Sequence, residues 1–197
     1  MQIILASSSP RRAEVLRDAG IAFEVCPAQI DETRRPGENA QTMVIRLAEA
    51  KARAVTLSPA SRGNERRIVF GADTAVELDG EIYGKPRNAA HAAEILAALS
   101  GRTHKVLSGI FLLRLPDGTA RSAVESTSVT FALLDRAEID AYVASGEPMG
   151  KAGGYAIQGR GGRFIPRIDG CYFNVVGLPL ARFHTLLREL GWQDDQK

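Results

Sequence analysis

Apolar and polar positions change rhythm repeatedly along this chain, and the changes mark short elements of both kinds. Gln2 to Ala6 is an apolar run of strand length. Ser9-Pro10 then supplies a helix N-cap and a first helical residue with φ already set. Val15, Leu16 and Ala19 recur at helical spacing, and Gly20 stops the helix. Phe23 to Ala28 predicts a second strand and Ile30 to Gly37 a charged loop. Val44, Leu47 and Ala48 form the buried stripe of a long helix running from about Asn39 to Val55.

Ser58 to Arg66 is polar and predicts a surface loop. Arg67 to Phe70 begins a strand that the pattern ends near Ala72 and Asp73. Val76 to Tyr83, broken by Asp79-Gly80, predicts a β-hairpin, because that dipeptide suits a tight primed turn. Asn88 caps a helix that runs to Leu99 and is ended by Gly101. Strands from Lys105 to Leu115 and from Ser122 to Leu134 are joined by a turn at Pro116-Asp117-Gly118. Asp135 and Glu138 form a capping box for a short helix to about Ser145. The glycine-rich stretch from Gly150 to Gly170 has no period. Leu180, Phe183, Leu187 and Leu190 then share one face of a last helix, stopped by Gly191. This order predicts an α/β fold. It leaves the strand order open, and a mixed twisted sheet with flanking helices is the expectation. No repeat, low-complexity tract or linker divides the chain, so residues 1–197 are expected to form one domain.

Composition narrows the function classes. The formal charge of +2 is too small for wrapping nucleic acid, so any basic function must come from local clusters such as Arg11-Arg12. No apolar run approaches the roughly 20 residues that span a bilayer. Ile3 to Ala6 is too short for a signal-peptide core, and its basic pair follows it; a cytoplasmic location is expected. Cys26 and Cys171 lack a C-x-x-C partner, which predicts reduced thiols and no zinc site; Cys171 is a candidate to line a pocket.

Several segments offer phosphate chemistry. Residues 5–12, LASSSPRR, run from a strand into a helix start, where free N–H groups and a partial positive charge suit a phosphate oxygen. Ser7 and Ser8 add hydroxyls, and Arg11 and Arg12 add forked cations; the plainer reading makes Ser9 a cap and both arginines solvated. Asp73, followed by Thr74 at an expected strand end, can bind a divalent cation or activate water, or simply serve a turn. Lys85 follows the hairpin and can neutralise phosphate or face water. Glu32 can share a metal with Asp73, and Lys51 can face the phosphates, though each is an ordinary surface residue by default. The segment GKAGGYAIQGRGG, residues 150–162, carries so much glycine that something must approach closely or need positive φ there. A bound ligand is the favoured reason, because Gln158 presents a donor beside an acceptor. Neither the P-loop pattern nor G-x-G-x-x-G is present, and His91, His104 and His184 are scattered.

Four pieces in order, LASSSPRR, GADTAVELDGEIYGKPRN, LSGRTHKV and GKAGGYAIQGRGGRFIPRIDGCYFNVVGLPL, resemble the Maf family of nucleoside triphosphate pyrophosphatases. GKAGGYAIQG is similar to the branch acting on dTTP and UTP; the branch acting on 7-methyl-GTP usually lacks the Gln. The resemblance implies two lobes around a central cleft, resembling inosine triphosphate pyrophosphatases, a magnesium or manganese ion, a nucleoside triphosphate substrate and frequent homodimers. It makes Asp73 the catalytic acidic residue, with Glu32 as a further metal ligand. Arg11, Thr74 and Gln158 stand at specificity positions, and Ser8, Arg12, Lys51 and Lys85 line the same cleft. It leaves open whether Asp73 holds metal or takes the water's proton. The family's association with septum formation keeps a non-enzymatic regulator of cell division as a rival, and 7-methyl-GTP as a rival substrate.

Overall fold

The computed structural model describes residues 1–56 and 66–193; the polar loop expected from Ser58 lies outside the described residues except for Arg66. Among the described residues seven strands form one sheet. They are β1 (Gln2–Leu5), β2 (Glu24–Val25), β3 (Arg67–Leu78), β4 (Glu81–Tyr83), β5 (Thr103–Leu115), β6 (Ala120–Thr130) and β7 (Arg167–Asp169). The order is β2-β1-β3-β5-β6-β7, with β4 also on β3. β1 runs parallel to β2 and β3, and every other pairing is antiparallel. The sheet is therefore mixed. Around it lie α1 (Pro10–Asp18), α2 (Ala40–Thr56), α3 (Ala89–Leu99), α4 (Arg136–Ala144), α5 (Tyr172–Val176) and α6 (Leu180–Glu189).

Side chains of β3 alternate between two faces. On one face Phe70 and Ala72, with Ile110 and Leu112 of β5, pack against Leu16 of α1 and Phe183 of α6. Further along the same face, Val76, Leu78 and Val106 join Ile95 and Leu99 of α3, Tyr142 of α4 and Phe164 in a second core. These two cores are the centres of two lobes that share the same strands. Between them stand Thr74 and Ser108, cross-strand partners whose hydroxyl oxygens are 2.9 Å apart. A polar seam separates the two apolar masses.

The opposite face is covered by α2, whose Val44, Leu47, Ala48 and Ala52 lie over Val69, Ala75, Leu107 and Phe111. Its approach is unusually close. A Cβ at Gly71 would fall 2.0 Å from the Ala48 carbonyl oxygen, and one at Gly109 would fall 2.5 Å from that of Val44. Glycine is needed here for space, since neither residue has a positive φ.

Several expectations hold. The Asp79-Gly80 turn has φ of 52° and 84° at its two central residues, and the capping box at Asp135 and Glu138 is present. Asn88 accepts the His91 N–H at the start of α3. Others need correction. β3 does not end near Asp73 but continues to Leu78, because β5 pairs with it without a bulge from Arg67 to Glu77. β2 covers only Glu24–Val25 of the predicted Phe23–Ala28, and β6 ends at Thr130 instead of Leu134, where Phe131 turns its N–H to the Arg102 carbonyl. β7 lies at the end of the glycine-rich stretch that showed no period, and α5 follows just after it. Ser9 makes no side-chain cap; the Ser7 hydroxyl accepts the Ser9 N–H instead. No helix among the described residues is long and apolar enough to cross a membrane.

Candidate active site

On the outer edge of β3, β1 pairs as far as Phe70, and β4 pairs from Val76 onward. The residues between have no strand on that side, and a cleft opens there. Asp73 is thus mid-strand by backbone yet stands just beyond the end of the parallel β1 pairing, where ligand sites of α/β sheets commonly lie. The β1–α1 turn forms one wall and the glycine-rich segment another. Ser8, Arg11, Arg12, Glu32, Lys51, Asp73, Thr74, Lys85 and Gln158 all line this one cleft. Cys171 does not line it, and no disulfide joins the two cysteines.

Lys51 reaches the site because α2 sits so close to the sheet. Its Nζ lies 2.7 Å from Asp73 Oδ1 and 2.7 Å from Glu32 Oε1, while Lys85 Nζ lies 4.0 Å from Glu32 Oε2. Asp73 and Lys51 are mostly buried, whereas Glu32 and Lys85 are open to water. Burial pushes the Glu32 carboxyl up, but Lys51, Lys85 and Arg12 outweigh it and hold the carboxyl below its usual value.

Arg12 is buried at the base of the cleft. Its Nε donates to the Gly177 carbonyl at 2.9 Å, Nη1 to the Ser7 hydroxyl at 2.9 Å and Nη2 to Thr74 Oγ1 at 3.0 Å. Three of its five N–H groups are used, and the fork is fixed in place. Among the described residues no carboxylate lies within ion-pair distance of Arg11 or Arg12. Burial depresses both guanidinium pKa values; at Arg12 the fields of Asp73 and Glu32 oppose this. A buried cation without a direct counter-ion is a site prepared for an anion. The cleft as a whole is lined by four cations, Arg11, Arg12, Lys51 and Lys85, against two carboxylates, Asp73 and Glu32.

The donor set also fits a hard divalent cation. Both carboxylates already converge on one positive centre, the Lys51 ammonium. Carboxylate oxygens are the ligands such ions take. Among the described residues no cluster of three or more His, Cys, Asp or Glu completes a cage, so the remaining ligands would be phosphate oxygens and water.

Some readings of single residues change. Thr74 spends its hydroxyl on Arg12 and Ser108, so its first effect is to hold the Arg12 fork. Gln158 is exposed in the cleft, and its amide makes no hydrogen bond among the described residues; neither Thr74 nor Arg11 locks it. Several of the glycines around it make room for other parts of the protein. A Cβ at Gly153 would meet Val76 at 2.7 Å, one at Gly162 the Ile157 carbonyl at 2.5 Å, and one at Gly159 the Glu147 carboxylate at 2.6 Å. Tyr155 and the Gly177 carbonyl also belong to the site and were missed. The signal for Gly177 was a glycine closing an apolar run, where φ is 124°. His104 takes no part: it is buried against the Tyr155 hydroxyl, and burial lowers its pKa to about 4.

The family described as Maf-like protein matches residues 2–190. A dTTP/UTP pyrophosphatase from Anaeromyxobacter sp. (strain Fw109-5) is 52% identical over 96% of this chain and 90% of its own. One from Yersinia pestis bv. Antiqua is 47% identical over 94% of this chain and 91% of its own. Among solved structures, a nucleoside-triphosphatase / dITP/XTP pyrophosphatase from Mycobacterium abscessus is 17% identical, with a TM-score of 0.41 over 96% of this chain and 98% of that one.

Proposed function

The chain belongs to the Maf-like protein family, and on that footing we propose how its cleft works as a nucleoside triphosphate pyrophosphatase that cuts dTTP and UTP to the monophosphate and pyrophosphate. The observation that carries the reading is the convergence of four cations, two carboxylates and Gln158 in one cleft at the open edge of β3. The surplus of positive charge suits a triphosphate. The near-neutral chain as a whole suits a free nucleotide better than nucleic acid.

Arg12, Arg11 and the start of α1 bind phosphate oxygens, with Ser8 as an added donor. Lys51 holds Asp73 through Oδ1, leaving Oδ2 to take the proton of a water placed beside the α-phosphorus. As the water oxygen bonds to that phosphorus, the bond to the bridging oxygen breaks and pyrophosphate leaves. Lys85 and Arg11 offset the charge that develops on it. Asp73 and Glu32 would hold a magnesium or manganese ion, which when bound polarises phosphate oxygens and makes its water more acidic.

The test is product identity. With dTTP or UTP and magnesium, pyrophosphate and the monophosphate should appear together, with no early orthophosphate. Orthophosphate and nucleoside diphosphate appearing first would mean attack at the γ-phosphorus and a reversed triphosphate. No turnover of any nucleoside triphosphate would favour a non-enzymatic regulator.

Gln158 is expected to read the pyrimidine edge. Uracil and thymine place an N3–H donor beside the O4 acceptor, which an amide matches with its own oxygen and nitrogen. Gln158→Ala should lower kcat/KM for dTTP and UTP by about tenfold, the worth of roughly 1–2 kcal/mol of lost hydrogen bonding. Unchanged values for both nucleotides would place base recognition elsewhere in the cleft.

A further inference from the structure

A free glutamine amide can turn over and serve cytosine as well as uracil, so selectivity between them must come from whatever fixes the loop that carries Gln158. Among the described residues no side chain holds that amide. The backbone on either side of it, however, is held from behind. Glu147, which follows α4 and does not line the cleft, accepts three hydrogen bonds through its carboxylate. Oε1 takes the Tyr142 hydroxyl at 2.8 Å and the Gly161 N–H at 3.0 Å, and Oε2 takes the Arg160 N–H at 3.0 Å. The Tyr142 oxygen in turn accepts the Ala156 N–H at 3.2 Å. One carboxylate and one phenol thereby tie the chain ahead of Gln158 and again just behind it. Between the ties, the Gly159 N–H closes a turn onto the Ala156 carbonyl at 3.2 Å.

The clamp is rooted and closely fitted. Tyr142 is buried in the second core, with its ring edge-on to Phe164 at 5.1 Å between centroids. A Cβ at Gly159 would come within 2.6 Å of Glu147 Oε1, and one at Gly161 within 2.7 Å of the Tyr142 oxygen. The loop is glycine-rich here so that it can close down on the clamp. Burial pushes the Glu147 carboxyl up, but the two backbone N–H groups and Tyr142 hold it below its ordinary value, which keeps it an acceptor.

We propose that Glu147 is a positioning residue for base selectivity: through Tyr142 and the N–H groups of Ala156, Arg160 and Gly161 it sets the backbone from which Gln158 meets the pyrimidine. This rests on the reading of the cleft as a pyrimidine nucleotide site. Glu147→Gln keeps the shape but turns an NH2 group toward one of the N–H donors. It should lower kcat/KM for dTTP and UTP by about tenfold and that for CTP far less, so that the UTP-to-CTP ratio contracts by about fivefold or more. The loss should fall mainly on KM. A purely structural role would lower all three values together and leave the ratio unmoved, which would overturn the proposal. Tyr142→Phe removes one tie and should contract the ratio in the same direction; it decides the matter if Glu147→Gln does not fold. Amide exchange at Ala156, Arg160 and Gly161 should quicken in either variant, whichever nucleotide is preferred. Unchanged protection there would also overturn the proposal. A wild-type enzyme that leaves dTTP and UTP intact would instead overturn the reading on which it rests.

Discussion

Replacing Asp73 with asparagine should lower kcat for UTP by at least about two orders of magnitude, the usual consequence of losing a general base or a metal-binding carboxylate. The substitution is a clean one in this site. Asparagine keeps the size of the side chain and still offers an oxygen to Lys51, which now lies 2.7 Å from Oδ1. Lys51 also keeps Glu32 at 2.7 Å, so the buried ammonium is not left without a counter-ion. What disappears is one negative charge and the oxygen that accepts a proton. The measurement is kcat under saturating UTP and magnesium, beside a thermal melt of both proteins. A variant that melts like the wild type and turns over at near-normal rate would remove Asp73 from the chemistry.

Gly71→Ala is expected to be the most destabilising single methyl that can be added near the site. The new Cβ would lie 2.0 Å from the Ala48 carbonyl oxygen and 2.9 Å from the Ala52 backbone nitrogen. Both belong to the main chain of α2, so no rotamer change relieves the contact, and the helix must move off the sheet. Overpacking of this kind costs about 3 kcal/mol or more, at the upper end of its range. For a chain of this size that lowers Tm by roughly 6–12 °C. Activity should fall as well, since α2 carries Lys51 to Asp73. A Tm within about 2 °C of wild type, the shift expected for about 1 kcal/mol or less, would show that α2 has slack over β3.

Much of the site was legible because its parts are local. LASSSPRR announces a strand entering a helix, and Asp79-Gly80 announces a hairpin, and both are judged from neighbouring residues alone. The position of Asp73 was harder to judge. Gly71-Ala72-Asp73 interrupts the apolar pattern as a strand end would, yet β3 continues because β5, a distant segment of the chain, supplies partners up to Glu77. β7 and α5 are three and five residues long, too short for a period to declare itself. The glycines of residues 150–162 suggested a ligand, whereas several of them make room for Val76, Glu147 and Tyr142. Close approach is visible in composition; what approaches is decided by the tertiary structure.

The polar seam at Thr74 and Ser108 divides the apolar interior, but it does not divide the chain energetically. β3 and β5 run unbroken from one core to the other, so neither core can release its strands while the other stays packed. The two lobes are therefore expected to unfold together, as one transition in a thermal melt. Arg12, Thr74 and Asp73 stand at the joint between them. An injury deep in either lobe, such as a cavity beneath Phe183 or Phe164, reaches them as a smaller folded population, with the surviving molecules keeping their turnover number.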